Sequence, residues 1–184
     1  FIPTMEALLS RPQPPDHIVI ETSGLALPKP LVRAFDWPAI RSRVTVDGVV
    51  AVVDGRSVHD GRFDDAAPAA VHDNPLEEVF SDQILCADVV LLNKADLLSV
   101  EERASVRAQI AAQARPGTRI LDTIQGEVDP MVVLGLQAGA EDDLDARPSH
   151  HDTNTDHDHD DFESFCVEVG VFADPAAFAR HLQA

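Results

Sequence analysis

The sequence predicts an α/β fold, in which helices flank a mostly parallel sheet. Short apolar runs of the buried-strand type alternate along the chain with helical patterns of about 10 to 15 residues. This alternation is typical of βαβ units, whose strands pair in parallel. The apolar runs end in polar residues, and open α/β sheets bind their ligands at the carboxyl ends of the strands. These polar residues are therefore the candidate functional residues.

The predicted strands are short runs rich in Val, Ile and Leu. They are expected at 17–20, 49–53, 88–92 and 119–123. Another β-branched run, 44–46, precedes the second strand across Asp47-Gly48. An Asp-Gly pair between two such runs indicates either a tight hairpin or a plain approach loop to a single strand.

The helices are predicted from their start signals and apolar periodicity. Pro75 suits the first turn of a helix, and Ser99 followed by Glu102 is a capping-box pattern. The helices are expected at 4–10, 28–36, 75–86 and 99–114.

Composition excludes several classes of partner. The 184 residues include 32 acidic and 14 basic side chains, so the net charge is −18. Nucleic acids and anionic membranes need a basic footprint on the protein, so neither is expected as a partner. No apolar run approaches the roughly 20 residues that span a bilayer. Two cysteines far apart in sequence, with no visible signal peptide, favour a cytoplasmic location.

The run 88–92 ends in Asn93, Lys94, Ala95 and Asp96, a pattern that suits guanine recognition. A carboxylate at Asp96 would accept from guanine N1–H and N2–H₂, and Asn93 would contact the O6/N7 edge. The Lys94 stem would lie over the base while its ammonium stays in water. The alternative is a polar surface turn after a buried strand.

Two further strand ends carry acidic candidates. Glu21 follows the run 17–20, where it would orient Mg²⁺ through water, and Gly24 would let a backbone N–H approach a γ-phosphate. The alternative is an N-cap cluster for the next helix. Asp54 closes the run 49–53 and is a candidate for the same edge, although a turn carboxylate before glycine explains it equally well.

Composition changes after residue 140. Residues 141–161 are acidic, rich in His and of low complexity, which predicts a flexible linker. His150, His151, His157 and His159 would suit Zn²⁺, Co²⁺ or Ni²⁺, the alternative being a solvated hinge. Residues 162–184 begin with strand-like alternation, so they are expected to open a second α+β domain.

The segment from His17 to Pro30, followed in order by the segment 47–54 and by the Asn93 to Asp96 motif, resembles the CobW-type GTPases of metal-centre assembly. The resemblance implies a P-loop-NTPase-like sheet in residues 1–140 and Mg²⁺-dependent GTP hydrolysis coupled to transition-metal delivery. It further implies cobalt delivery for cobalamin biosynthesis, with a client metalloenzyme such as cobaltochelatase. The alternatives are a zinc or nickel metallochaperone of the same group, or a non-enzymatic metal-binding or interaction module.

Two motifs that the resemblance implies, a phosphate-binding loop and a Cys-x-Cys-Cys metal motif, are missing from these 184 residues. The phosphate-binding pattern G-x-x-x-x-G-K-[ST] does not occur in them. Phosphoryl transfer depends on that loop and on Mg²⁺. We therefore expect a fragment that lacks the P-loop and the first strand of the sheet, and that by itself neither binds GTP tightly nor hydrolyses it.

Overall fold

A three-stranded parallel sheet forms the centre of the computed structural model, which describes residues 1–63 and 75–149. The strands lie in the order β1, β2, β3, and both neighbouring pairs are parallel. They are β1 Val50–Asp54, β2 Val89–Asn93 and β3 Arg119–Asp122. Parallel strands with flanking helices confirm the predicted α/β class.

Seven α-helices and three 3₁₀ turns occur in the described residues. The helices are α1 Ile2–Leu9, α2 Pro28–Arg33, α3 Pro38–Arg41, α4 Gly55–His59, α5 Pro75–Cys86, α6 Val100–Gln113 and α7 Pro130–Val133. The 3₁₀ turns are Ala34–Asp36, Ala95–Leu97 and Leu144–Ala146. Helix α6 begins with the predicted capping box, in which Ser99 and Glu102 exchange backbone-to-side-chain hydrogen bonds. None of these helices is long and apolar enough to cross a membrane.

The main core lies between one face of the sheet and helices α4, α5 and α6. Strand β2 is central, and its residues 89–92 are all buried. A strand enclosed in this way reads as a continuous apolar run instead of an alternating one. The buried residues of this core are Val53, Val58, Ile84, Ala87, Val90, Leu92, Leu98, Val106 and Ile110.

The prediction of a strand at 17–20 is wrong. These residues form no strand, and Val19 is 82% exposed. An extended segment becomes a strand only when its backbone N–H and C=O groups pair with a neighbour. Among the described residues, none pairs with the outer edge of β1 as a further strand, and 17–20 pairs with nothing in the sheet.

The alternatives left open for 44–49 are resolved in favour of an approach loop. Only β1 forms, and the side chain of Asp47 accepts hydrogen bonds from the backbone N–H groups of 135–137 at 2.5 to 3.1 Å. Glu141 reinforces this contact by accepting from Thr45 Oγ1 at 2.6 Å and from Val46 N at 2.9 Å. The chain after α7 is thereby fastened to the chain before β1.

Asp88, immediately before β2, is the centre of a largely buried charge cluster at the amino end of the sheet. Its carboxylate accepts from Arg115 Nη2 at 2.9 Å and from Arg147 Nη2 at 2.9 Å. It also accepts from the backbone N–H of Val49 at 2.8 Å. The Arg147 side chain is fully buried, and its Nη1 donates to the carbonyl oxygen of Cys86 at 2.5 Å.

Arg147 and Glu141 belong to the segment expected to form a linker at 141–161. The described part of that segment, 141–149, contacts the domain through these two buried side chains. The remainder, 150–161, lies outside the described residues, as do 162–184 with the predicted second domain.

We predict that Arg147→Met destabilises the chain by about 3–5 kcal/mol, because it leaves the Asp88 carboxylate short of a buried partner. The matched control is Arg107→Met, which removes a guanidinium 45% exposed beside Asp122. An exposed pair contributes about 0–1 kcal/mol. Urea unfolding of the wild-type chain and both variants measures the two losses. Equal losses would contradict a dominant role for the buried cluster.

A second prediction concerns acid stability. Burial raises the pKa of the Asp47 carboxyl, but the N–H groups of Gln137, Leu136 and Gly135 outweigh burial, and the net pKa lies below the ordinary 3.8. A depressed pKa stabilises the fold above the unfolded-state value, and this stability is lost as the pH falls through the lower folded-state value.

Asp47→Asn should therefore cost about 1–3 kcal/mol at neutral pH. The gap from wild type should narrow once the pH drops below 3.8. Urea unfolding across this pH range measures the gap. The control is Asp142→Asn, which alters an exposed carboxylate of the segment after α7 that pairs with Arg41, and it should show a smaller loss. A gap for Asp47→Asn that stays constant with pH would contradict the ionic contribution.

Candidate functional site

Polar residues from three strands meet at the carboxyl edge of the sheet. The register places Asp54 of β1 opposite Asn93 of β2, and Leu92 opposite Asp122 of β3. The loop after β3 returns to β2, since Thr123 N donates to Leu92 O at 2.9 Å. The predicted candidates Asp54 and Asn93 are thus neighbours.

The side chain of Asn93 is oriented by the loop after β3. Its Oδ1 accepts from the backbone N–H of Gly126 at 2.9 Å and from Thr123 Oγ1 at 3.3 Å. The amide nitrogen makes no hydrogen bond within residues 1–63 and 75–149. Because the oxygen is occupied, the NH₂ group of Asn93 is the part of the amide that remains to bind a ligand.

Lys94 adopts a left-handed backbone conformation with φ of 58°. Few residues other than glycine adopt this region. The side chain is about half exposed, and its Nζ lies 2.5 Å from Asp54 Oδ2. Ala95 then starts the 3₁₀ turn that carries Asp96, and its N–H donates to Thr123 O at 3.1 Å.

Asp54 has two functions in this arrangement. One carboxylate oxygen pairs with Lys94, and the other accepts from Ser57 N at 3.1 Å as the N-cap of α4. Burial raises the pKa of the Asp54 carboxyl, but the hydrogen bond from Lys94 and the backbone bond from Ser57 outweigh it. The net pKa lies below the ordinary value, so the group is ionised at neutral pH.

Asp96 is the unpartnered acid of the group. Its side chain is exposed, and it has neither a hydrogen bond nor an ion pair in the described part of the chain. The buried Ala95 and Leu98 hold the turn on either side of it. The carboxylate therefore remains able to accept hydrogen bonds from a ligand.

Close packing sets the spacing between β1 and β2 at this edge. A Cβ on Gly55 would lie 2.9 Å from Leu92 Cδ1, 3.0 Å from Leu98 Cδ1 and 3.2 Å from Asn93 O. Only glycine lets the start of α4 approach the Asn93 backbone without displacing these atoms.

The structure does not join Glu21 and Gly24 to this group. Glu21 is exposed, and no hydrogen bond or ion pair of the described residues links it to Asn93 or Lys94. The carbonyl oxygen of Gly24 instead accepts from Gln83 Nε2 of α5 at 2.9 Å. These two candidates therefore form a separate location.

Sequence reasoning missed Thr123 and Gly126. The available signal was the glycine at 126, shortly after the predicted strand 119–123. In the structure Gln125 and Gly126 both have positive φ, 53° and 73°. Such a turn is favoured by glycine and brings backbone N–H groups toward the neighbouring strand end.

The predicted metal ligands His150, His151, His157 and His159 lie outside the described residues. Within 1–63 and 75–149, no group of three or more His, Cys, Asp or Glu side chains is arranged to hold a metal ion.

Comparison with known proteins matched a family model and several named relatives. A family model described as the CobW/HypB/UreG nucleotide-binding domain matches residues 1–122. The chain is similar to a Sinorhizobium sp protein named zinc chaperone CobW, with 46% identity over 197 aligned positions that cover all of this chain and 56% of the relative. A Pseudomonas aeruginosa protein of the same name is 48% identical over 163 positions, covering 83% of this chain and 43% of the relative.

A more distant relative is the zinc-regulated GTPase metalloprotein activator 1 of Schizosaccharomyces pombe. It is 34% identical over 126 positions, which cover 67% of this chain and 28% of the relative. The chain thus spans about half the length of the two nearer relatives. No solved structure matches it.

Proposed function

The chain belongs to the CobW/HypB/UreG nucleotide-binding family, and from that premise we propose that it is part of a GTP-hydrolysing zinc metallochaperone, in which it supplies the guanine-reading residues. The observation that carries this proposal is the exposed, unpartnered carboxylate of Asp96 beside the oriented amide of Asn93. Guanine offers two donors, N1–H and N2–H₂, next to the O6 acceptor. A carboxylate and an amide NH₂ are the complementary set.

Base selection follows from the cost of unmade hydrogen bonds. Adenine has no N–H at position 1 and presents an amine where guanine presents O6. Bound in the same place, adenine would put its N1 acceptor opposite the Asp96 carboxylate and its amine opposite the NH₂ group of Asn93. A site built on polar pairing rejects such a ligand strongly, because its desolvated groups remain unpaired.

The phosphate half of the site is not assigned to these residues. Hydrolysis needs a loop that cradles the β- and γ-phosphates, and no G-x-x-x-x-G-K-[ST] motif occurs in the 184 residues. For Mg²⁺, the predicted Glu21 offers a single exposed carboxylate without further ligands in the described residues. We therefore derive no step through the metal ion, and we attribute GTP turnover to the whole protein.

Zinc is the cargo that we propose, in place of the cobalt expected from the resemblance. The two nearer relatives are named zinc chaperones, and the yeast relative is named a zinc-regulated GTPase. Neither cobalt nor cobalamin biosynthesis appears in these names. Imidazoles and carboxylates of the segment 150–161 suit Zn²⁺. The client protein is not identified by any of these observations.

We predict that Asp96→Asn in the full-length gene product weakens GTP binding about 100-fold or more and improves binding of xanthosine triphosphate. Hydrogen bonds to a charged group contribute about 1.5–3 kcal/mol each; the bond from N2–H₂ is lost, and the bond from N1–H is kept only to a neutral amide oxygen. Xanthine carries a carbonyl where guanine carries the N2 amine, so the new amide donates where the carboxylate accepted. Titration with fluorescent analogues of both nucleotides measures the preference.

The control for this exchange is Asp129→Asn, which alters an exposed carboxylate that caps α7. It should leave both affinities unchanged. Unaltered GTP affinity in Asp96→Asn would show that the Asn93 to Asp96 motif is only a turn, and the proposed guanine site would be withdrawn.

We also predict that replacing His150, His151, His157 and His159 together by Ala weakens Zn²⁺ binding of the full-length protein. Groups that only orient a metal ligand contribute about 10–100-fold to metal affinity. Removal of the ligands themselves should therefore weaken Zn²⁺ binding more than about tenfold. Calorimetric Zn²⁺ titration measures the change. The control replaces the other four histidines, His17, His59, His72 and His181, and should retain the affinity. Equal affinity in all three proteins would contradict a zinc role for the tract.

A further inference from the structure

We propose that Asp54 is a positioning residue of the guanine site, which holds Lys94 in the conformation that the base requires. This inference rests on the proposed function and extends it to a residue outside the Asn93 to Asp96 motif. The contact that carries it is the ion pair between Lys94 Nζ and Asp54 Oδ2 at 2.5 Å. Asp54 itself would not touch the nucleotide.

The pair bridges the two strands whose ends form the site. Asp54 is the register partner of Asn93, so Lys94 reaches sideways from the end of β2 to the end of β1. The side chain of Lys94 therefore crosses the edge of the sheet instead of extending into solvent. A guanine held by Asn93 and Asp96 would then find the Lys94 methylene groups already beside it.

Asp54 is anchored independently of Lys94. Its second oxygen accepts from Ser57 N at 3.1 Å, and α4 begins at the next residue, Gly55. A Cβ on Gly55 would lie 3.2 Å from Asn93 O, closer than ordinary contact, so the glycine lets α4 begin close to the Asn93 backbone. The Asp54 carboxylate is therefore held in place next to the Asn93 to Asp96 motif.

The Asp54–Lys94 ion pair is expected to contribute more to nucleotide affinity than to the stability of the fold. An ion pair as exposed as this one, with side chains 51% and 30% accessible, contributes little to folding. Lysine is rich in rotamers, and ordering such a side chain on ligand binding opposes affinity. A lysine that is ordered before the ligand arrives avoids that loss. The expected benefit is about 3- to 10-fold in nucleotide affinity.

The same geometry predicts that the preference among nucleotide bases stays constant when Asp54 is lost. Contact between the lysine stem and the face of a purine does not depend on the hydrogen-bonding edge. Loss of Asp54 should therefore weaken GTP and GDP alike, without the change in base preference expected for Asp96→Asn.

The experiment is a double-mutant cycle on the full-length gene product, read by fluorescence titration with N-methylanthraniloyl GDP. Asp54→Asn removes the charge but keeps the N-cap, because Asn and Asp cap helices equally well. Lys94→Met keeps an unbranched side chain and removes the ammonium. We expect Asp54→Asn to weaken binding about 3- to 10-fold in the wild-type background and to have no further effect in Lys94→Met.

Asp60→Asn is the matched control, since it removes an exposed carboxylate at the other end of α4, whose ion-pair partner in the described residues is Arg56. It should leave nucleotide affinity unchanged. Thermal unfolding of each variant identifies any loss caused by misfolding, and Asp54→Glu, which restores the charge, should recover part of the affinity in the wild-type background.

Three outcomes overturn the proposal. If Asp54→Asn binds as wild type while Asp96→Asn loses GTP, the guanine site stands and Asp54 does not position Lys94. If Asp54→Asn weakens binding equally in both backgrounds, it acts by another route. If neither Asp54→Asn nor Asp96→Asn changes GTP affinity, the proposed function fails and this inference fails with it.

Discussion

The carboxylate of Asp88 carries the constraint on which the packing of the described structure depends. A buried charge is tolerated only when it is paired and hydrogen-bonded. Asp88 meets that condition with Arg115 from the end of α6, Arg147 from the segment after α7 and the N–H of Val49 before β1. Burial lowers the pKa of the Arg147 guanidinium, yet Asp88 outweighs it and the net pKa is raised. The Arg147 guanidinium therefore stays charged, and the contacts of Asp88 hold four chain segments at the amino end of one strand.

The polar groups at the two ends of the central strand β2 differ in whether they have partners within the described residues. At the amino end, charges are paired and largely excluded from water. At the carboxyl end, the amide nitrogen of Asn93 and the carboxylate of Asp96 have no partner in the described residues. Polar groups left free at an ordered position are available to a ligand at little cost in reorganisation. Our proposal assigns these two groups to the guanine base.

The ion pair between Asp54 and Lys94 is a charged contact at the carboxyl end of the sheet. It belongs to the ligand edge, yet it contributes little to stability because both side chains are partly exposed. Under our proposal, the pair orders the flexible Lys94 side chain before the nucleotide binds. The same edge contains Gly55 and Gly126, which bring backbone close to Asn93 from two sides. Guanine recognition in this family member would then depend on the loops after all three strands.

Local signals in the sequence determined much of this protein. The capping box at Ser99 and the helix opened by Pro75 depend on contacts within one element, and the apolar composition of 89–92 by itself indicates an enclosed strand, so neighbouring residues suffice to predict all three. Only the tertiary structure decided that 17–20 forms no strand, that Arg147 is buried, and that Thr123 and Gly126 orient Asn93. Each of these results depends on partners dozens of residues away, because sheet ladders, buried ion pairs and ligand sites form between segments that the sequence pattern does not relate.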